Sequence, residues 1–198
     1  MMALILGLII FFGVHSVRII SDDFRTRQIE RVGVNTWRGM HAAVSLVGFV
    51  LIVVGYGVAR GAPQVVWVPP AWTAHLAALL TIPAFILIAA SFVPGTRIRN
   101  KFGHPMVLGV KVWALAHLIA NGMLADILLF GTFLIWAIVD YASARSRDRK
   151  AGTVYSVGPV SRDVFAVVAG LVAWVVFALW LHRWLIGVAP LQVAAAGG

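Results

Sequence analysis

The sequence predicts an all-α fold: a polytopic membrane bundle of about six transmembrane helices, with both termini outside the cytoplasm. Three observations carry this. Of 198 residues, 61% are hydrophobic and 12% charged, and the mean hydropathy is +0.94. A soluble domain of this size cannot bury that much apolar surface. Apolar stretches recur along the whole chain, each near the ~20 residues needed to cross a bilayer. The basic residues between them collect in alternate loops, as membrane topology demands. The chain therefore reads as a single transmembrane domain over residues 1–198.

The spans follow in order. Met2–Ile20 is apolar and lacks both a basic leader and a small-x-small cleavage site, so it reads as a span and not as a signal peptide. Gly39–Ala59 carries His41, Ser45, Gly48, Ile52 and Gly55 on one helical face, a stripe suited to close helix packing. Trp72–Pro94 follows the Pro69-Pro70 break, and Pro83 should kink it. Met106–Asn121 is short for a full crossing. Asn121-Gly122 reads as a tight turn into an antiparallel partner, Met123–Tyr141. Val164–Val188 is the last span, and the Ala194–Gly198 tail is expected to fray.

The formal net charge of +9 belongs to loops, not to a nucleic-acid surface. Arg18, Arg25, Arg27, Arg31 and Arg38 flank the first loop. Arg97, Arg99 and Lys101 fill the third, and Arg145, Arg147, Arg149, Lys150 and Arg162 the fifth. These are 13 of the 16 Lys and Arg residues, all on one side. Arg60 and Arg183 fall on the other side, and Lys111 lies inside a span. The positive-inside rule then puts the odd loops in the cytoplasm, which in a bacterium means the inner membrane. Trp67, Trp72, Trp180 and Trp184 fit an outer aromatic belt and Trp37 an inner one. The absence of cysteine excludes disulfides, iron–sulfur clusters, thiolate zinc sites, c-type haem attachment and cysteine nucleophiles. No phosphate-cradling glycine loop, HExxH, GxSxG or membrane-embedded carboxylate pair is present.

Histidines in apolar spans are the candidate chemistry, because polar groups at membrane depth are costly and imidazole is a common metal ligand. His117 shares a helix face with Trp113 and Asn121, which makes either a ligand pocket or hydrogen-bonded packing glue. His15 shares a face with Gly7, Phe11 and Arg18. That set suits a planar apolar cofactor with carboxylates, and equally a phospholipid headgroup. His41 near the inner boundary, and His75 and His182 near the outer one, read as interfacial. Pro105 places His104 at a helix start, and an antiparallel hairpin turning at Gly122 would bring His104 opposite Asp140. Lys111 would then face the level of Thr132, with Asp126 close to the turn, and its amine is expected to snorkel or hydrogen-bond within the bundle. His15 and His117 differ in depth by ~9 Å along their helices.

Several segments carry a resemblance. Gly13-Val14-His15-Ser16-Val17-Arg18, Trp67-Val68-Pro69-Pro70-Ala71-Trp72, His104-Pro105-Met106 and the run from Lys111 to Gly122 resemble the signatures of NnrU-family membrane proteins. The similarity runs from the first span to Tyr141 and more weakly beyond. It implies a role linked to denitrification, in nitrite and nitric oxide reduction. The family is related to 15-cis-zeta-carotene isomerase, a membrane enzyme whose b-type haem is held by two histidines. That relationship implies haem b here, with His15 and His117 as metal ligands and Arg18 and Asn121 beside the cofactor. His41, His104, Lys111 and Asp140 remain further candidates. The implied activity is a haem-dependent isomerase or oxidoreductase, acting with a membrane redox partner or an apolar small molecule. The alternative is a non-catalytic accessory protein packed against an oxidoreductase or haem-delivery complex. A third reading rests on the His-Pro pair, which resembles that of isoprenylcysteine-type membrane methyltransferases using S-adenosylmethionine. Gly103 stands here where those enzymes have arginine.

Overall fold

The computed structural model describes residues 1–191, so the Ala194–Gly198 tail lies outside the described residues. The chain forms α1 (Met2–His15), α2 (Val17–Ile20), α3 (Asp22–Val32), α4 (Val34–Arg60), α5 (Trp72–Phe92), α6 (Arg97–Phe102), α7 (Pro105–Ala120), α8 (Leu124–Ala151) and α9 (Val160–Val176). A π-helical turn, Phe177–Leu181, carries α9 into α10 (His182–Ile186) without a break. Among the described residues the β-structure is one isolated antiparallel bridge, Val65 to Met123.

Four of these helical stretches are long and apolar enough to cross a membrane: α4, α5, α8 and the continuous Val160–Ile186. Two expected spans are shorter. α1 has 14 residues and gains length only through α2, beyond a local irregularity at Ser16 (φ −89°, ψ −4°). α7 has 16 residues, about 24 Å, less than the ~30 Å hydrocarbon core.

Three further departures from the expected spans have local causes. The first loop contains α3, because Ser21 caps it by accepting a hydrogen bond from the Phe24 amide at 3.2 Å. Asp22 and Asp23 place negative charge in its first turn, where the helix dipole favours it. Gly33, at φ +83°, ends α3 and turns directly into α4, a conformation that favours glycine. Thr96 caps α6 in the same way, accepting from the Arg99 amide at 3.0 Å. α8 continues past Tyr141 to Ala151, where Gly152 adopts the left-handed cap conformation. Pro83 lies inside α5, as the sequence indicates.

Packing sets the order of the helices. α1 runs along α4; α5 lies between α7 and α9; α8 flanks α7 and reaches α1. The small-residue stripe of α4 meets α1 backbone to backbone. A Cβ on Gly48 would lie 2.7 Å from the Phe11 nitrogen, and one on Gly7 2.6 Å from the Ile52 nitrogen. A Cβ on Gly55 would collide with the Leu4 backbone. Gly109 against Ala84, and Gly170 against Ile86, do the same for α7 and α9 on α5. Where α7 passes into α8, the Val66 and Trp67 amides donate to the Gly122 carbonyl at 2.9 and 3.2 Å, and the Leu124 amide to the Gln64 carbonyl at 2.8 Å. The expected turn at Asn121-Gly122 is therefore an extended segment stapled to the α4–α5 loop, with Asn121 at φ −132°.

Candidate functional site

α1 and α7 do not pack against each other; α8 lies beside both. The face α8 turns toward them carries Phe130, Phe133 and Trp136, spaced by three residues so that they line one side of the helix. α1 contributes Phe11, Phe12 and His15 to this layer, and α7 contributes Trp113 and His117. Phe133 is the hub. Its ring centroid lies 4.8 Å from Phe12 and 5.4 Å from Trp113, both nearly edge-on.

The two spans' histidines sit at opposite ends of this row. His15 stacks on Phe11 at 4.1 Å and stands edge-on to Trp136 at 6.0 Å. His117 lies 4.6 Å from Phe130 and 5.0 Å from Trp113. Their contacts on α8, Trp136 and Phe130, are separated by ~9 Å along the helix axis. Each histidine is held the same way. His15 Nδ1 lies 2.6 Å from the Phe11 carbonyl, and His117 Nδ1 lies 2.9 Å from the Trp113 carbonyl. A carbonyl only accepts, so Nδ1 carries the proton in both rings, and in the neutral imidazole Nε2 is then the lone-pair nitrogen. Trp136 Nε1 is buried with no acceptor among the described residues.

The other candidates fall into separate groups. The His41 ring is 5.0 Å from that of His15, across the α1–α4 contact. Asp140, half-buried on α8, lies within electrostatic reach of Arg147, His104, Arg18 and His15. Arg18 pairs with Asp22 at 3.3 Å. Asn121 donates to the His117 backbone carbonyl at 2.8 Å and so terminates α7. Lys111 is half-buried in α7, and no carboxylate pairs with it among the described residues. His75 is exposed, and His182 donates from Nδ1 to the Val188 carbonyl at 2.7 Å. Among the described residues no three His, Cys, Asp or Glu side chains cluster as a metal site.

One expected contact is corrected. His104 Nε2 meets Asp148 at 3.0 Å, not Asp140. The reason is the extra length of α8. Because the helix continues beyond Tyr141, a later carboxylate is available, and the Tyr141 hydroxyl holds the Phe102 carbonyl at 2.9 Å just ahead of His104. Asp148 also accepts from Tyr155 at 2.9 Å and from Arg145 at 3.3 Å. Burial pushes the Tyr155 hydroxyl above the usual tyrosine range, and the bond to the Asp148 carboxylate adds to this. This group straps the loop before α9 across the N-terminal end of α7.

Sequence reasoning did not pick out the α8 aromatics, although their spacing was visible. It also did not pair Tyr56 with Asp126. The Tyr56 hydroxyl donates to Asp126 Oδ1 at 2.6 Å, across a separation of 70 residues that no local pattern reveals. Asp126 Oδ2 accepts from the Met123 amide at 3.3 Å, capping α8.

A family model described as NnrU protein matches residues 3–190 of the chain. Comparison with curated proteins and with solved structures finds no match.

Proposed function

The chain belongs to the NnrU family, and from that premise we propose that it is a membrane b-type haem protein with His15 and His117 as the iron ligands. The observation that supports this reading is the shared state of the two imidazoles. Each spends its Nδ1 proton on its own helix, one turn back, which orients the ring and leaves Nε2 as the donor atom. Buried histidines acting only as packing glue would use Nε2 on a neighbouring helix, and neither does among the described residues.

The surroundings fit a flat apolar group with polar edges. Phe11, Phe12, Trp113, Phe130 and Phe133 offer ring faces and edges around the two half-buried imidazoles. Trp136 Nε1–H offers a buried donor in need of an acceptor. The contacts of His15 and His117 on α8 stand ~9 Å apart along the helix axis, so the two would hold one group only after α1 or α7 shifts relative to α8. Bound there, haem would supply one-electron chemistry tuned by its two ligands and the dry shell around it.

On the distribution of Lys and Arg we assign the protein to the inner membrane with both termini outside the cytoplasm. We place its chemistry with nitrite and nitric oxide reduction or with redox-gated isomerisation. The test is an absorption spectrum of the detergent-purified protein, oxidised and reduced. A Soret band that both His15→Ala and His117→Ala abolish or shift supports the reading. A spectrum that neither substitution alters overturns it. Protein that purifies iron-free with a membrane oxidoreductase attached supports the accessory role instead.

A further inference from the structure

We propose that the cleft between α3 and the start of α4 is a binding site for the phosphodiester headgroup of an anionic phospholipid. The cleft is a cavity of about 250 Å³ lined by Arg25, Ile29, Val34, Trp37, Arg38 and His41. It exists because Gly33 folds α3 back onto α4 without a linker. That volume is below the range of drug-sized pockets and suits a headgroup.

The lining is divided by chemistry. Arg25, Arg38 and His41 supply donors for an anion. Arg25 shares its guanidinium with Asp22 at 3.5 Å, whereas Arg38 has no carboxylate partner among the described residues. Ile29, Val34 and Trp37 supply an apolar wall for the glycerol and the first methylenes. Above the cleft, Met40, Val44 and Val47 continue the face of Trp37 along α4 at spacings of three and four residues. They are 55%, 44% and 55% exposed. An acyl chain leaving the cleft therefore has a continuous apolar track. A free phosphate ion would use only the donors.

The position agrees with the chemistry. The cleft lies at the arginine-rich end of α4, where cytoplasmic-leaflet lipids carry negative charge. Phe24, 44% exposed on α3, and Trp37 are suited to the interfacial layer. The site stands apart from the haem reading, although His41 joins it to His15 through their 5.0 Å ring contact.

The experiment is native mass spectrometry of the detergent-purified full chain, titrated with phosphatidylglycerol or with phosphatidylcholine of the same acyl chains. The wild type should retain one phosphatidylglycerol with roughly tenfold preference, since each arginine near the surface contributes measurably to anionic-lipid binding. The double substitution Arg25→Gln/Arg38→Gln should remove that preference. Arg25→Lys/Arg38→Lys, which keeps the charge, should preserve most of it and guards against misfolding of the neutral variant. Arg149→Gln, an exposed arginine outside the cleft, should change nothing. Displacement of the lipid by millimolar inorganic phosphate would show a free-anion site and overturn the lipid assignment. Equal retention of the two lipids, or a preference that survives the neutral double variant, would overturn the site itself.

Discussion

α1 meets its two neighbours in opposite ways. Against α4 it is pressed backbone to backbone at Gly7, Gly48 and Gly55, where no side chain holds the helices apart. Against α8 it is held off by rings: Phe11 and Phe12 reach Phe133, and Phe12 and His15 reach Trp136. In lipid the hydrophobic effect does not drive helices together, so close approach has to come from shape and polar bonds. The α1–α4 contact is therefore the fixed half of the joint. The α1–α8 contact is the half with rings between backbones, and His15 lies along it, while His117 lies on the α7 side of the same ring layer.

Substitutions at the two contacts should separate these roles, beginning with the largest effect. Gly55→Leu places a side chain in the Leu4 backbone, and no rotamer of a flexible neighbour relieves it. It should cost more than about 3 kcal/mol and abolish monodisperse elution in detergent. Folded Gly55→Leu protein with an unchanged melting temperature would break the distinction between a rigid and a loose contact. Phe133→Ala removes the hub of the aromatic layer but leaves the glycine contact intact. Its cost should be about 1–2 kcal/mol, below that of a water-soluble core because no transfer from water is lost. Thermal unfolding followed by circular dichroism checks both.

Tyr56→Phe removes the 2.6 Å bond to Asp126, which crosses from the C-terminal part of α4 to the first turn of α8. Interhelical hydrogen bonds in membranes contribute modestly, so the expected loss is about 0.5–1.5 kcal/mol by the same unfolding measurement. The smallest effect belongs to Arg18→Gln. It breaks an i,i+4 pair with Asp22 that is largely exposed, and should change stability by less than about 0.5 kcal/mol. A large loss there would mean that Arg18 does more than pair with Asp22.

The same contrast explains what could be read from the sequence. The Gly48, Ile52 and Gly55 stripe was legible because its periodicity lies within one helix, and it packs as the spacing implies. Both His15 and His117 stood out as imidazoles in apolar runs. The layer that joins their surroundings was not legible, because Phe130, Phe133 and Trp136 look like ordinary span residues until α8 is set beside α1 and α7. The His104 partner was misplaced by eight residues because α8 was expected to end at the last apolar residue. Helix propensity carried it through Arg145–Lys150 to the Gly152 cap. α3 was passed over as loop although Ser21-Asp22-Asp23 is a capping signal.

The unequal lengths of neighbouring helices have a consequence of their own. α8, at 28 residues, stands directly against α7, at 16, a difference of ~18 Å in rise. Part of that excess is the charged end of α8, Arg145–Lys150, against which the chain around the start of α7 packs. His104, Asp148, Tyr155 and Arg145 occupy that stretch as a shelf of mutually bonded polar groups.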